Sequence, residues 1–112
     1  MSSKNKSTLS FDVSLDENKV PEKIEWTTED QETSACKAVM TSLWDEQESN
    51  TLRIDLWTKE MTVEEMRHFF VQSMITMADT FERATNDVES AEEFRSFSKG
   101  FGKKLGVIKE DS

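Results

Sequence analysis

The chain has 112 residues, 35% of them hydrophobic and 33% charged, with three Trp, seven Phe and six Met. That supplies apolar material for one core and too little chain for two full domains, so a single soluble, globular domain is expected. Fourteen Lys and Arg against 23 Asp and Glu leave a net charge of −9, which repels phosphate backbones and anionic lipid and argues against a nucleic-acid partner.

Residues 1–7 are polar and have no apolar packing partner, so they read as a disordered tail. Residues 109–112 read the same way, which leaves 8–108 as the folded domain. No apolar segment follows Lys4 and Lys6, and nowhere does an apolar run approach the ~18 residues of a membrane span. No integral membrane segment is expected, and the cytoplasm is the expected location.

From Leu9 to Leu15 apolar and polar residues alternate, which places Leu9, Phe11, Val13 and Leu15 on one face of a strand. Asp16-Glu-Asn-Lys19 has turn chemistry, and a second strand follows with Ile24 and Trp26 on one face and Lys23, Glu25 and Thr27 on the other. Pro21 suits a strand start or a sheet edge, so an edge position is expected for this strand. Thr28 to Ser34 is polar and acidic and reads as a loop. Cys36 is the single cysteine; it can form no internal disulfide and belongs to no zinc-like cluster, which fits a reducing compartment.

Lys37 to Trp44 has a mixed period. Strand is favoured over helix because the polar connector Asp45-Glu-Gln-Glu-Ser-Asn50 and the clean alternation Leu52-Arg-Ile-Asp-Leu-Trp57 close a hairpin naturally. Four antiparallel strands in one sheet result. Leu52, Ile54 and Leu56 are expected to face the core, and Arg53, Asp55 and Trp57 to face outward or into an oligomer contact.

Thr62-Val-Glu-Glu65 has capping-box spacing, so a helix begins there. Val63, Met66, Phe70, Met74, Met77 and Phe81 form its apolar stripe, widened by Phe69 and Ala78. Ser90-Ala-Glu-Glu93 repeats the cap signature, and Phe94, Phe97, Phe101 and Leu105 recur at helical spacing up to Gly106. Gly100 and Gly102 imply either fraying or a close approach by another backbone. Val107 and Ile108 fold back as the helix's apolar cap. The fold class is therefore α+β, a four-stranded antiparallel sheet followed by two C-terminal helices packed on one face.

No constellation specifies a reaction. Glu65-Met-Arg-His68 has the Glu-x-x-His spacing of di-iron helices, but a second such pair is missing and His68 is the chain's one histidine. A solvated or partner-facing histidine is the better reading. The oxygen-rich Asp45–Asn50 segment lacks the Gly and Glu that an EF-hand loop needs. Lys99-Gly-Phe-Gly-Lys-Lys104 lacks the glycine spacing of a phosphate loop. No triad can be assembled, so no catalytic residue, metal or cofactor is expected. Arg95, Lys99, Lys103, Lys104 and Lys109 make the end of the chain basic, which fits orientation of a partner, of a membrane surface or merely of a helix. Trp57, on the polar face of its strand, fits equally a ring covering a sheet face and an anchor for a partner or a second copy. With Arg53 and Asp55 beside it, it forms the candidate contact set, and a homodimer is a further expectation because open sheet edges need covering.

Three longer strings, Leu15-Asp-Glu-Asn-Lys-Val-Pro-Glu-Lys-Ile-Glu-Trp26, Leu52-Arg-Ile-Asp-Leu-Trp-Thr-Lys-Glu-Met61 and Met77-Ala-Asp-Thr-Phe-Glu-Arg-Ala-Thr-Asn-Asp87, resemble the GldC family of gliding motility-associated proteins of Bacteroidetes. The resemblance runs from Leu9 to about Leu105. It implies a non-enzymatic cytoplasmic accessory protein with protein partners in the gliding machinery, and it brings no catalytic residues to carry over. The order of strands and helices is also similar to the export chaperone SecB, at the level of topology alone. A holdase for unfolded or export-bound polypeptides is therefore the alternative.

Overall fold

A computed structural model of the chain describes residues 5–30 and 32–109. Of the two tails read from the sequence, residues 1–4 and 110–112 lie outside the described residues. The elements run β1 (Ser10–Leu15), β2 (Pro21–Thr27), β3 (Thr33–Cys36), β4 (Ala38–Asp45), β5 (Asn50–Trp57), α1 (Val63–Thr85) and α2 (Val88–Leu105). The α+β class and the two C-terminal helices are as expected. The single four-stranded sheet is not: five strands form a three-stranded antiparallel sheet, β1-β2-β3, and a two-stranded one, β4-β5. The chain divides into two compact units, one carrying the strands and ending at Met61, the other carrying the helices and beginning at Thr62.

In the strand unit, β1 and β2 pair with Phe11 opposite Trp26 and Val13 opposite Ile24, so the alternation read from the sequence is the register that forms. Ile24 is fully buried. The connecting turn is built on Asp16, whose carboxylate accepts hydrogen bonds from the amides of Asn18 at 2.8 Å and Val20 at 3.0 Å. Lys19 adopts a left-handed φ of 63° to close it. The same carboxylate accepts from Lys59 Nζ at 2.7 Å, which ties the turn to the segment after β5.

β2 is the middle strand and not an edge, because β3 pairs along its other side with Ile24 opposite Cys36 and Trp26 opposite Ser34. Pro21 is tolerated because it is the first residue of the strand. β3 occupies part of what the sequence presents as loop. Thr33-Ser-Ala-Cys36 has no large apolar residue to mark a buried face, so its pairing is decided by the neighbour strand and not by its own pattern.

Lys37 is a bend between β3 and β4, and the one long strand expected from Lys37 to Trp44 begins instead at Ala38, in a separate sheet. The Lys37 carbonyl accepts from the amide of Thr58 at 2.8 Å, and Thr58 is buried there. β4 and β5 pair over all eight residues of each. Their turn is closed by the Asp45 carboxylate, which accepts from the Glu48 amide at 2.7 Å, and by Ser49 at a φ of 54°.

In the helical unit the capping box at Thr62 forms in full: Thr62 Oγ1 accepts from the Glu65 amide at 3.0 Å, and the Glu65 carboxylate accepts from the Thr62 amide at 2.9 Å. α1 ends on Asn86 in the left-handed region. α2 starts earlier than the Ser90 signature suggests, with Asp87 as N-cap accepting from the Ser90 amide at 3.0 Å. Asp at that place satisfies a free amide of the first turn, and Ser90, expected to be the cap, falls inside that turn.

The buried positions of the helices are not the stripe of large apolar residues. Val71 and Ala78 on α1, and Ala91, Ser98 and Gly102 on α2, recur at steps of seven and four and are buried, whereas Val63, Phe70, Met77, Phe81 and Phe97 are exposed. Small side chains let two helix backbones approach closely, and Gly102 meets Val71 across the pair. Arg95 clamps the pair polarly: it donates to Glu82 at 2.6 Å and Asp79 at 2.9 Å on α1, and to Glu92 at 3.0 Å on its own helix. Glu82, then Asp79, push the pKa of its guanidinium up from the ordinary value.

α2 ends at Gly106, with φ of 81°, and the amides of Val107 and Ile108 return to the Gly102 carbonyl at 2.9 and 3.2 Å. This turn seats Ile108 over Gly102, where an added Cβ would lie 2.7 Å from Ile108 Cδ1 and 3.0 Å from Val71 Cγ1. Gly100 has nothing within 4 Å of such a Cβ. In chemical denaturation, Gly100→Ala is expected to stabilise by about 0.5–1 kcal/mol through helix propensity alone. Gly102→Ala is expected to lose that gain or reverse it; equal gains at both positions would remove the close approach from the account.

The Lys59 ammonium and the turn amides hold the Asp16 carboxyl at about 2, against an ordinary 3.8. A carboxyl depressed on folding contributes stability that is complete above its unfolded value and lost as pH falls through the folded one. Melting temperatures of wild type and Asp16→Asn should therefore differ by a constant amount from neutrality down to about pH 4.5, and the gap should close as pH approaches about 2. A gap independent of pH would show that charge on Asp16 contributes nothing.

Candidate functional site

Residues directly opposite in an antiparallel pair share a face, so the β4–β5 register sorts the hairpin into two unlike surfaces. On one, Val39 faces Leu56, Thr41 faces Ile54 and Leu43 faces Leu52. On the other, Ala38 faces Trp57, Met40 faces Asp55, Ser42 faces Arg53 and Trp44 faces Thr51. All three contact residues expected from the sequence, Trp57, Arg53 and Asp55, are brought together on this second face.

Trp57 is 54% exposed and Trp44 is 69% exposed. They sit at opposite ends of the face, about six residue steps apart along the hairpin, or about 20 Å at ~3.3 Å per residue. Between them Arg53 makes a fork onto Asp55, with Nη2 at 2.9 Å from Oδ1 and Nε at 3.3 Å from Oδ2, and it donates from Nη1 to Ser42 Oγ at 2.6 Å. The guanidinium is thus laid along the sheet surface and oriented, with donors to spare for an incoming acceptor. The arrangement is a polar strip with an exposed indole at each end. It suits the capture of another macromolecule's surface, where aromatic rings supply desolvated area and the ion pair supplies direction.

Trp44 is the member that sequence reasoning missed. Its face follows from the same alternation once β4 starts at Ala38, but the mixed period of Lys37 to Trp44 hides that start. Leu52 and Ile54, expected in the core, lie instead on the apolar face of the hairpin and are about half exposed.

The remaining sequence candidates do not converge. His68 Nε2 lies 3.8 Å from Glu64 on the exposed surface of α1, while the Glu65 carboxylate is committed to the helix cap. Among the described residues no group of three or more His, Cys, Asp or Glu side chains is placed to hold a metal ion. Burial pushes the thiol of half-buried Cys36 up from its ordinary value, the opposite of what an activated nucleophile requires. A shallow hollow of about 480 Å³ is lined by Glu22, Lys23, Lys59 and Glu60, two cations matched by two carboxylates. Lys99 to Lys104 lies within α2 and serves its C-terminal packing. Among the described residues no helix is long and apolar enough to cross a membrane.

Comparison with curated proteins and with solved structures returned no match. Among protein families, the model described as "Gliding motility-associated protein GldC-like" matches residues 21–107, from the first residue of β2 to just past the end of α2, and the chain belongs to that family.

Proposed function

We propose that the chain is a non-enzymatic accessory protein of bacterial gliding motility, working in the cytoplasm through contacts with protein partners of the gliding machinery. Membership of a gliding-associated family gives the process. The observation that carries the mode of action is the β4–β5 face on which Trp44 and Trp57 stand exposed at either end of the Arg53–Asp55–Ser42 network. Large exposed indoles on a regular strand cost solvation and contribute little to the isolated hairpin, whereas at an interface each supplies apolar area that water need no longer cover. A rigid strand also holds both rings in place before binding, which keeps the ordering cost of association low.

The test is crosslinking and pull-down from gliding cells with wild type, Trp44→Ala and Trp57→Ala as baits. Each variant should lose the captured partner, with affinity for the purified partner falling about ten- to a hundredfold, while thermal stability stays nearly unchanged. A large stability loss would assign the ring to the chain's own core. The SecB-like alternative makes a different demand: suppression of aggregation of an unrelated denatured protein, seen by light scattering.

A further inference from the structure

β5 has one hydrogen-bonded neighbour among the described residues, β4, and its outer edge is unpaired. Exposed edges are ordinarily blunted by Lys, Pro or a bulge. β5 has no Lys, Pro or bulge, and its two charged residues, Arg53 and Asp55, are of opposite sign: it reads Asn-Thr-Leu-Arg-Ile-Asp-Leu-Trp and pairs with β4 without a register shift.

Its sequence is instead complementary to itself. If two copies are laid antiparallel with Ile54 opposite Ile54, Arg53 of each copy falls opposite Asp55 of the other, twice over. On the reverse face Leu52 falls opposite Leu56 on both sides of the central isoleucines. Moving the centre to Arg53 sets arginine against arginine, and moving it to Asp55 sets aspartate against aspartate. Centres between residues set charged against apolar side chains. Only the Ile54 register satisfies both faces at once, so register and orientation are specified together. β4 offers no such match, since its one charged residue is the terminal Asp45.

We infer that this chain self-associates as a two-fold dimer through edge-to-edge pairing of β5 with β5 of a second copy. The product is a continuous four-stranded sheet, β4-β5-β5-β4, with an isologous interface that closes on itself. Arg53 and Asp55 are already 2.9 Å apart within one copy. Joining two such pairs makes a ring of four alternating charges in which each carboxylate accepts from both guanidinia. Ile54, 54% exposed in the single copy, packs at the centre against its own equivalent. The two Trp-bearing faces become one surface, with Trp57 of each copy opposite Thr51 of the other. The pairing does not require that surface to engage any partner, so it stands or falls apart from the proposed function.

The experiment uses two charge variants, Arg53→Asp and Asp55→Arg, and sedimentation equilibrium of the full chain. Wild type should be dimeric, with a dissociation constant raised about ten- to a hundredfold in either variant alone, because each then sets like charges opposite one another. Mixed in equal amounts, the two variants should associate again as a heterodimer, since the two carboxylates that then flank Ile54 in one copy face the two guanidinia that flank Ile54 in the other. Neither variant regains the pair within its own chain on mixing, so restoration reports contact between copies alone. A wild type that stays monomeric at concentrations of several hundred micromolar overturns the inference, as does a variant pair that fails to restore association.

Discussion

Antiparallel pairing of β4 with β5 is the constraint on which the proposed contact surface depends. Side chains alternate with period two, and directly opposed residues share a face. A register shift of one residue would therefore set the charged residues of β5 beside the apolar face of β4 and break up both the apolar ladder and the Trp-flanked polar strip. Two short-range devices hold the register at its ends: the Asp45 turn with Ser49 at a positive φ, and the Thr58 amide bound to the Lys37 carbonyl. Because the chain bends at Lys37 out of the first sheet, that last hydrogen bond also fixes where β4 begins and which of its residues point with Trp57.

The legibility of the sequence varied with how much each element decides locally. β1, β2 and β5 alternate so cleanly that their faces, and with them the grouping of Arg53, Asp55 and Trp57, follow from the string alone. The cap at Thr62 was equally local, a matter of one hydroxyl and one carboxylate three residues apart. β3 was not legible because Thr33, Ser34, Ala35 and Cys36 are small, and a strand of small residues acquires its identity from β2 beside it. Trp44 was lost for a related reason: without the Lys37 bend its strand has no fixed start, and without a start it has no face.

The helices teach a complementary lesson. Period 3.6 correctly located them, but the stripe of large residues was not the buried one, because helix against helix rewards closeness as much as apolar area. Ala78, Ala91, Ser98 and Gly102 permit that closeness, and the Gly106 turn then places Ile108 into the space a side chain at Gly102 would have filled. A hydrophobicity count weights Phe and Met heavily and glycine not at all, so it points away from such an interface.

The charge asymmetry along the chain also changes meaning once geometry is known. Read as a string, Arg95 opens a basic run that could orient an anionic surface. In the fold, Arg95 is surrounded by Asp79, Glu82 and Glu92, and that neighbourhood carries more negative charge than positive. Lys103 and Lys104 stand in the last turn of α2, where a cation is favoured by the unsatisfied carbonyls of the helix end. Arg95 is therefore a clamp between helices, and Lys103 and Lys104 answer a helix terminus, all within the helical unit. The ion pair on β5 is presented openly to a macromolecule, since Arg53 and Asp55 are both substantially exposed between two indoles. Screening by salt makes such a pair weak on its own. Covered by a partner's surface it lies in a lower dielectric, and its direction across the strand then discriminates between one docking orientation and the reverse.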